Sequence, residues 1–401
     1  MENVEEIQEL VTELIDEALI DNSTPKKTKK VYPMGNKKVL LLGGNGFIGT
    51  ALNKYLTKIG YEVHVLDYTF DTLNNPQNTY QCNLNSLDQT TEMLRVILDK
   101  TGLDGLTIFH LASTVGPELI NIDNSINDFK IHFNIYEAIK GEIFRRGETP
   151  HKMIFTGSSE SYGDIPVMDE SKGSLVNVLT EGARPLYSLQ KLAAENIFLT
   201  QTDYPVVCTR LFNVVGKGQR KDFIFPKLTD VITKNLDCIR NCKMDFEKFQ
   251  VHGDGLQSRN FISIDDTVVI MEKLINWEDD EEHIGLNDYQ INDGIINISC
   301  IQNESTILHL VQKFLELFRT VIHNGVKYLT DKSNDAIGLD EYELNSLEYL
   351  KKVIALPNED FIEFKDGLIG QNKRSPLVYK LYKILKYRPK KDLNTLINDM
   401  I

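Results

Sequence analysis

The chain has 401 residues, of which 41% are hydrophobic, and its formal net charge is −14 at neutral pH. This length and composition allow two or three domains with a large buried core and exclude a disordered chain. The negative charge would repel a polyphosphate backbone, so nucleic acid is not expected as the main partner. No apolar run approaches the roughly 18 residues that a membrane span needs, so no membrane association is expected.

The first 36 residues are expected to stand apart from the rest of the chain. Apolar residues three and four positions apart within 4–20 predict an acidic amphipathic helix, and KKTKK at 26–30 indicates a basic linker. The segment is either a tail or a docking or oligomerisation helix, and the sequence leaves both open. Because its acidic start is unlike a secretory or mitochondrial leader, a cytoplasmic location is expected.

The five cysteines are scattered and odd in number, which disfavours a disulfide framework. Cys238 and Cys242 are the only close pair. No second pair or histidine cluster stands near them to complete a tetrahedral site, so no metal is expected.

From residue 37 onward, strand and helix patterns alternate. The apolar run at 39–42 predicts a central parallel strand covered on both faces. Later strands are predicted at 61–66, 107–111, 153–155 and 206–211, and helices at 50–59, about 128–145 and 187–201. This alternation predicts an α/β fold with a Rossmann-type doubly wound parallel sheet.

After about residue 216 the alternation breaks. Helices are predicted at 223–235 and 306–318, with short strands and a glycine turn within 252–264. Two acidic stretches, at 278–282 and 339–349, are interpreted as surface insertions. We therefore divide the chain into an N-terminal segment (1–36), a dinucleotide-binding domain (37–215) and a smaller C-terminal α/β substrate-binding lobe (216–401). Some segments of the lobe are expected to return to the sheet.

A glycine-rich turn joins the first strand to the first helix. Gly43, Gly46 and Gly49 fit a pattern in which glycines permit a tight turn, the approach of a pyrophosphate and close packing of helix on strand. Asp67 ends the next strand, where a carboxylate accepts hydrogen bonds from ribose hydroxyls and repels a 2′-phosphate. The pattern therefore predicts NAD, rather than NADP, as the cofactor.

Tyr187 and Lys191 lie four positions apart at the start of a predicted helix, which places both on one helix face. An ammonium group beside a phenol favours the phenolate, so we expect Lys191 to lower the pKa of Tyr187 toward neutrality. A hydroxyl-rich loop, SSESYG at 158–163, follows the preceding strand. The three features together predict a proton relay.

With these residues assembled, the chain resembles the extended short-chain dehydrogenase/reductase family, in the NAD-dependent epimerase/dehydratase branch that acts on nucleotide sugars. The resemblance covers about residues 37–399. It rests on an ordered set of motifs: GGNGFIG (43–49), Asp67, CNL (82–84), HLAS (110–113), Asn134, SSESYG (158–163), YSLQK (187–191), RLFNVVGKGQ (210–219), VHGDGLQSRNFISIDD (251–266) and YRPKKDLNTLI (387–397).

The resemblance implies specific roles. Tyr187 would take a proton from a sugar hydroxyl, usually that on C4, while Lys191 would hold the nicotinamide ribose and Ser158 would bond to the substrate oxygen. NAD would be regenerated within each turnover. Ser159, Asn213 and Arg259 would contact the nucleotide-diphosphate sugar. The implied NAD site comprises Gly43, Gly46, Phe47, Ile48, Gly49, Asp67, Asn83, Leu84, Leu111, Ala112, Ser113, Tyr187 and Lys191.

Two positions depart from the family pattern. Asn83 stands where the family often has an acid near the adenine, and Ser159-Glu160 stands where dTDP-glucose 4,6-dehydratases carry an Asp-Glu pair. Glu160 is therefore the informative catalytic candidate. Loops of this kind resemble those of GDP-mannose 4,6-dehydratases and UDP-glucuronate decarboxylases, and a carboxylate here can exchange a proton at C5 or sit near a departing carboxylate.

Several functions stay open on the sequence. The leading expectation is an epimerase or dehydratase working through a 4-keto sugar. A UDP-glucuronate decarboxylase, a reductase of 4-keto sugars and a non-catalytic nucleotide-binding scaffold are the alternatives. The resemblance also implies a homodimer formed through a four-helix bundle, with the segments at 128–145 and 187–201 as the pairing helices.

Overall fold

The computed structural model describes residues 37–69, 77–116, 118–163, 165, 167–170, 183–200, 203–277, 294–334, 338–366 and 373–400. The predicted N-terminal helix and linker, and the acidic stretch at 278–282, lie outside these residues.

Fourteen strands lie in the described part of the chain: β1 Lys38–Leu42, β2 Glu62–Asp67, β3 Thr79–Gln81, β4 Thr107–His110, β5 Lys152–Ser158, β6 Val167–Met168, β7 Val206–Leu211, β8 Asn213–Val215, β9 Phe249–His252, β10 Ser258–Ser263, β11 Ile295–Ile298, β12 Glu304–Thr306, β13 Ile362–Lys365 and β14 Ser375–Pro376. Its α-helices are α1 Phe47–Lys58, α2 Leu87–Thr101, α3 Ile122–Arg146, α4 Ala183–Leu199, α5 Ile224–Arg240, α6 Ile264–Ile275, α7 Ile307–Ser333, α8 Glu341–Ile354, α9 Tyr379–Lys383 and α10 Leu393–Asn398.

Seven strands form one parallel sheet in the order β11-β7-β5-β4-β1-β2-β3. From β1 in the interior of the sheet, successive strands are added outward to β3, and the other half of the sheet is then built from β4. The predicted Rossmann-type doubly wound sheet is confirmed. Strand β11 comes from the C-terminal part of the chain and forms one edge, so the two predicted domains share this sheet.

Alternate residues of the central strand face opposite sides, as a two-sided parallel sheet requires. Val39 and Leu41 join a core that includes residues of α1 and α6, whereas Leu40 and Leu42 join a core that includes residues of α2, α3 and α4. Burial on both faces explains why the sequence here is a continuous apolar run.

The lobe has a core of its own, in which phenylalanine rings from α5, β10 and α7 pack together: Phe225, Phe261, Phe314 and Phe318. The acidic stretch at 339–349, interpreted from sequence as a surface insertion, leads into helix α8 and forms its first part. Asp340 and Glu343 form a capping box at its start, and Leu347 and Val353 are buried. The acidic residues lie on the exposed face of α8, and its apolar face packs against α7. The many acidic residues mask this amphipathic pattern in the sequence.

Two buried histidines connect the sheet to the helices behind it. His110 of β4 and His132 of α3 are joined by a 2.7 Å hydrogen bond between Nε2 and Nδ1, and His132 Nε2 lies 2.7 Å from Oε1 of Gln190 in α4. Both hydrogen bonds form if each ring donates from its Nε2. Nδ1 of His110 then has no partner among the described residues. Burial, assisted by the nearby Lys191 charge, lowers the pKa of both imidazoles well below 6.5.

This pair makes the stability of the protein depend on pH. The unfolded imidazoles take up protons below pH ~6.5 while the folded ones stay neutral, so the free energy of unfolding falls as the pH drops, by up to about 1.4 kcal/mol per pH unit for each histidine. Measured by urea unfolding between pH 7.5 and 5.5, the free energy of unfolding should fall less steeply for His132→Gln than for the wild type. His323→Gln, at an exposed position of α7, should keep the wild-type dependence. Equal slopes in all three proteins would contradict this account.

Candidate functional site

The glycine turn stands at the carboxyl end of β1, where parallel sheets bind ligands. Gly43 has φ +84°, and a Cβ built there would lie 2.6 Å from backbone atoms of Ala112. A Cβ at Gly49 would lie 2.6 Å from the Cα and carbonyl oxygen of Gly44. At these two positions close backbone packing therefore excludes any side chain.

The start of α1 stays open beside this turn. A Cβ built at Gly46 would meet its nearest atom, the Gly43 carbonyl oxygen, only at 3.5 Å. The first backbone N–H groups of the helix, which include those of Phe47 and Ile48, have no acceptor within the helix and suit a phosphate. The turn thus fits the pyrophosphate of a dinucleotide.

Asp67, the last residue of β2, faces the turn. Its Oδ2 accepts a hydrogen bond from the Asn45 N–H at 2.9 Å, and its Oδ1 accepts one from the Thr69 N–H at 2.9 Å. These bonds fix the carboxylate next to the glycine turn, in the place that the sequence predicts for an acid facing a ribose.

The other predicted cofactor residues are held in loops that follow β3 and β4. The Asn83 side chain is exposed and accepts a bond from the Asn85 N–H at 3.1 Å, while the Leu84 carbonyl accepts one from Asn134 at 2.9 Å. Leu111 donates its N–H to the Leu42 carbonyl at 2.8 Å, which places 111–113 beside the glycine turn.

The catalytic candidates meet where β5 ends. Ser158 closes this strand, and its hydroxyl lies close enough to the phenol of Tyr187, which is buried on α4, to favour the phenolate. Lys191 lies one helical turn further along α4, and its Nζ donates to the Thr156 carbonyl at 3.2 Å. The structure therefore brings the three sequence-predicted residues together.

The pKa of Tyr187 moves opposite to the sequence prediction. Burial raises it above its usual value, the charges of Glu160 and Asp128 add to the rise, and the Ser158 hydroxyl opposes it. The pKa of Lys191 is itself lowered to about 8, chiefly by burial, with Asp128 and Glu195 opposing that shift. The sequence predicts that Lys191 lowers the pKa of Tyr187, whereas burial raises it in the structure, because helical spacing shows proximity and not the loss of solvent.

A buried ion pair lies beneath the loop at 158–163, which carries the catalytic candidates Ser158 and Glu160 and is called the catalytic loop below. Glu195 follows Lys191 by one turn of α4, and Arg210 of β7 donates to both of its carboxylate oxygens, at 2.7–3.2 Å. Glu195 also accepts a bond from the Ser161 hydroxyl at 3.0 Å. A Cβ at Gly157 would come within 2.7 Å of this carboxylate, so the glycine in the TGSS segment makes room for the pair.

Glu160 has a partner that the sequence did not reveal. Arg374 Nη2 lies 2.7 Å from Glu160 Oε2, and both side chains are largely buried. Arg374 directly precedes β14, which pairs with β6. Glu170, two residues after β6, is buried and accepts 2.6 Å bonds from the N–H groups of Asn297 and Lys380. Burial raises the pKa of Glu170 to about 7. No local pattern links residues 214 positions apart.

Two of the remaining predicted substrate residues, Asn213 and Arg259, lie on the neighbouring strands β8 and β10. Asn213 starts β8 and donates to the Asn260 carbonyl at 3.1 Å, and Arg259 of β10 donates to the Ser258 carbonyl at 2.7 Å. Ser159 is buried in the turn after β5. Strands β8 and β10 pair in parallel, with Asn213 opposite Phe261, so Asn213 and Arg259 lie close together.

Two other kinds of feature, a metal site and a membrane-spanning helix, are absent from the described residues. No cluster of three or more histidine, cysteine or acidic side chains suited to a metal ion occurs among them. None of their helices combines the length and hydropathy needed to cross a membrane.

Comparison with known proteins gives consistent results. Residues 39–292 match the model of the NAD dependent epimerase/dehydratase family. A UDP-N-acetyl-alpha-D-glucosaminuronate decarboxylase from Bacillus cytotoxicus is 26% identical over 333 residues, covering 76% of this chain and 91% of the relative. The human dTDP-D-glucose 4,6-dehydratase is 24% identical over 323 residues, covering 75% of this chain and 81% of the relative.

Solved structures share the fold. MoeE5, in complex with UDP-glucuronic acid and NAD, aligns with a TM-score of 0.61 at 20% identity, covering 90% of this chain and 97% of that structure. A UDP-glucose 4-epimerase from Thermotoga maritima with UDP-glucose aligns with the same TM-score at 17% identity and the same coverage. The predictions of an enzyme and of NAD as its cofactor are confirmed, and the chain belongs to the NAD-dependent epimerase/dehydratase family.

Proposed function

We propose that this enzyme remodels a nucleotide-diphosphate sugar through a transient 4-keto intermediate, by epimerisation or dehydration. The observation that carries the proposal is the contact of Ser158 with Tyr187, one helical turn from Lys191 and beside the carboxyl end of the sheet. These groups can bind a sugar hydroxyl and move its proton. The relatives that act on nucleotide sugars support the same class of substrate.

The chain's residues divide the work of such a reaction. Bound NAD supplies the hydride acceptor and later the hydride donor. Ser158 orients the sugar hydroxyl toward the Tyr187 oxygen, which takes up the proton when the ketone forms and returns it afterwards. Because burial holds the phenol in its protonated form, its role as a base depends on nearby positive charge, and Lys191 provides such a charge.

The ion pair of Glu160 and Arg374 favours a second candidate, decarboxylation of a UDP-uronic acid. A guanidinium beside the catalytic loop can bind the C6 carboxylate of such a sugar. With a ketone at C4, the C5–C6 bond can break with its electron pair passing into the enolate, carbon dioxide leaves, and C5 is then protonated. In this candidate reaction Glu160 would deliver that proton, and Ser159 supplies no acid for the C6 elimination of a dehydratase.

We also propose a homodimer formed through α3 and α4. An apolar stripe on these helices is exposed in the single chain, and its members recur at helical spacing: Ile122, Ile126, Phe129, Phe133 and Phe144 of α3, and Leu189 of α4. Continuous exposed apolar surface of this kind is typical of an interface. The predicted helix pairing supplies the partner, a second copy of the chain. A cytoplasmic location stays a prediction from the sequence.

The reaction class can be tested with a panel of UDP-, GDP-, CDP- and dTDP-sugars in deuterated water, with products identified by NMR. We expect conversion without added NADH, and a loss of at least ~100-fold in kcat for Tyr187→Phe, because the proton relay is removed. Tyr204→Phe, another buried tyrosine, should retain activity. Unchanged turnover by Tyr187→Phe would sink the assignment, and steady consumption of added NADH would establish a reductase.

The decarboxylase candidate has a separate test, the release of carbon dioxide from UDP-glucuronate. If it holds, Glu160→Gln and Arg374→Met should each lower kcat by ~100-fold or more, because each breaks a largely buried ion pair. The first also removes the group that would protonate C5, and the second removes the guanidinium that would bind the uronate carboxylate. Lys373→Met changes the neighbouring, more exposed cation and should have little effect. No carbon dioxide from the wild-type enzyme would exclude this candidate for UDP-glucuronate and leave the 4-keto proposal standing.

The dimer can be tested by light scattering after size-exclusion chromatography. We expect the double variant Phe129→Glu, Phe133→Glu to weaken association by ~100-fold or more, since it places charge in an apolar contact. Tyr328→Glu, at an exposed position of α7, should leave the mass unchanged. A wild-type monomer at micromolar concentration would contradict the proposal.

A further inference from the structure

The loop that follows β4, described at 111–116 and 118–121, is fastened by two buried carboxylates. The first is Asp128 of α3, whose side chain accepts a 2.6 Å bond from the Ser113 hydroxyl and bonds of 2.8 and 2.9 Å from the Thr114 N–H. Asp128 is 1% exposed. A buried carboxylate with these donors holds the start of the loop rigidly, and Ser113 is one of the predicted cofactor residues.

The second carboxylate is Asp222, which precedes α5 in the lobe. It accepts a bond from the Glu118 N–H and pairs with Arg220 through Nε at 3.0 Å and Nη2 at 3.2 Å. Although burial alone would raise its pKa, these bonds lower the pKa of Asp222 below its usual value. Lys227 adds an ion pair to Glu118 at 3.4 Å.

Gly116 shows how closely the loop approaches this second carboxylate. It has φ +135°, and a Cβ built there would lie 2.5 Å from Oδ2 of Asp222. The backbone therefore rests directly on the pair formed by Asp222 and Arg220, and no side chain fits between them. The contact belongs to the folded loop and is not an incidental surface ion pair.

The contacts of the loop with Asp128 and with Asp222 lie on different sides of the candidate site. The charge of Asp128 acts on both Tyr187 and Lys191, so this end is next to the proton relay. Asp222 follows β8, the strand that starts with the predicted substrate residue Asn213. The loop thus crosses the carboxyl edge of the sheet from the catalytic helices to the lobe.

We propose that Asp128 and Asp222 are positioning residues for the reaction, which hold this loop so that Ser113 stays against the cofactor and the lobe stays in register over the sugar nucleotide. The catalytic consequences of this proposal rest on the proposed function. The attachment of the loop to Asp128 and Asp222 does not depend on it. Asp128 acts on the cofactor side of the site and on the proton relay. Asp222 acts on the lobe and therefore on substrate binding.

Two variants of the full-length protein separate these roles. Asp128→Asn should weaken NADH binding, measured by fluorescence titration, by about three- to tenfold, the equivalent of one or two weakened hydrogen bonds. Asp222→Asn should leave NADH affinity within about twofold but raise KM for the sugar nucleotide more than it lowers kcat. Asp230→Asn, an exposed acid of α5 paired with Lys234, is the matched control and should change neither.

A pH profile gives a readout that a purely structural role would not move. Glu160 and Asp128 are the charges acting on Tyr187, and Asp128 and Glu195 those acting on Lys191. Since Asp128 raises both pKa values, its neutralisation should shift the acidic limb of kcat/KM to lower pH, by about half a unit or more. An acidic limb of kcat/KM that stays at the wild-type pH would show that Asp128 does not act on the proton relay.

Hydrogen exchange tests the fastening independently of turnover. Peptides that span 111–121 should exchange faster in both variants than in the wild type and in Asp230→Asn, while peptides from β1 and β5 stay protected. If Asp128→Asn does not fold, Ser113→Ala removes one of its bonds without burying a new group. Wild-type protection of the loop together with wild-type NADH affinity in the variants would overturn the proposal, whereas turnover of no sugar nucleotide by the wild type would count only against the proposed function.

Discussion

The buried ion pair between Glu195 and Arg210 is the constraint on which the candidate site depends. It joins α4, which carries Tyr187 and Lys191, to β7 of the sheet, and its Glu195 carboxylate also holds Ser161 of the catalytic loop. Removing one partner from such a pair leaves an uncompensated buried charge, which typically costs about 3–5 kcal/mol. The relative placement of the loop after β5 and the helix of the tyrosine is therefore set by a contact that lies beneath the site.

Charge is arranged around this pair in a consistent way. Three carboxylates, those of Asp128, Glu160 and Glu195, act on the buried tyrosine and lysine. Arg374 pairs with Glu160 and Arg210 with Glu195, whereas Asp128 is held by the Ser113 hydroxyl and the Thr114 N–H. Negative charge and burial keep the phenol protonated in the protein alone. A catalytic tyrosine of this kind depends on positive charge that reaches it during the reaction, which couples its titration to what the site binds.

Much of this site can be predicted from the sequence because the relevant patterns are local. The glycine turn, Asp67 at the end of β2, and the tyrosine and lysine on one face of α4 all follow from spacing along a strand or a helix. What the sequence does not show is contact between distant segments and the loss of solvent. Arg374 reaches Glu160 from far along the chain, and Asp128 looks like any polar residue of a long helix. Helix α8 was not predicted, because its exposed acidic face conceals a buried apolar one.

The same distinction applies to the comparison with the family. The glycine turn, Asp67 and the tyrosine-lysine pair carry the resemblance to the family, whereas the ion pair at Glu160 and the two carboxylates that fasten the loop after β4 are seen only in the structure. The central claim is that hydride leaves C4 of the sugar and returns within one turnover. The most direct test uses a sugar nucleotide that the enzyme converts, labelled with deuterium at C4 of the sugar. The account predicts that the product retains the deuterium, with none released to solvent or to free NADH; a product without deuterium would contradict it.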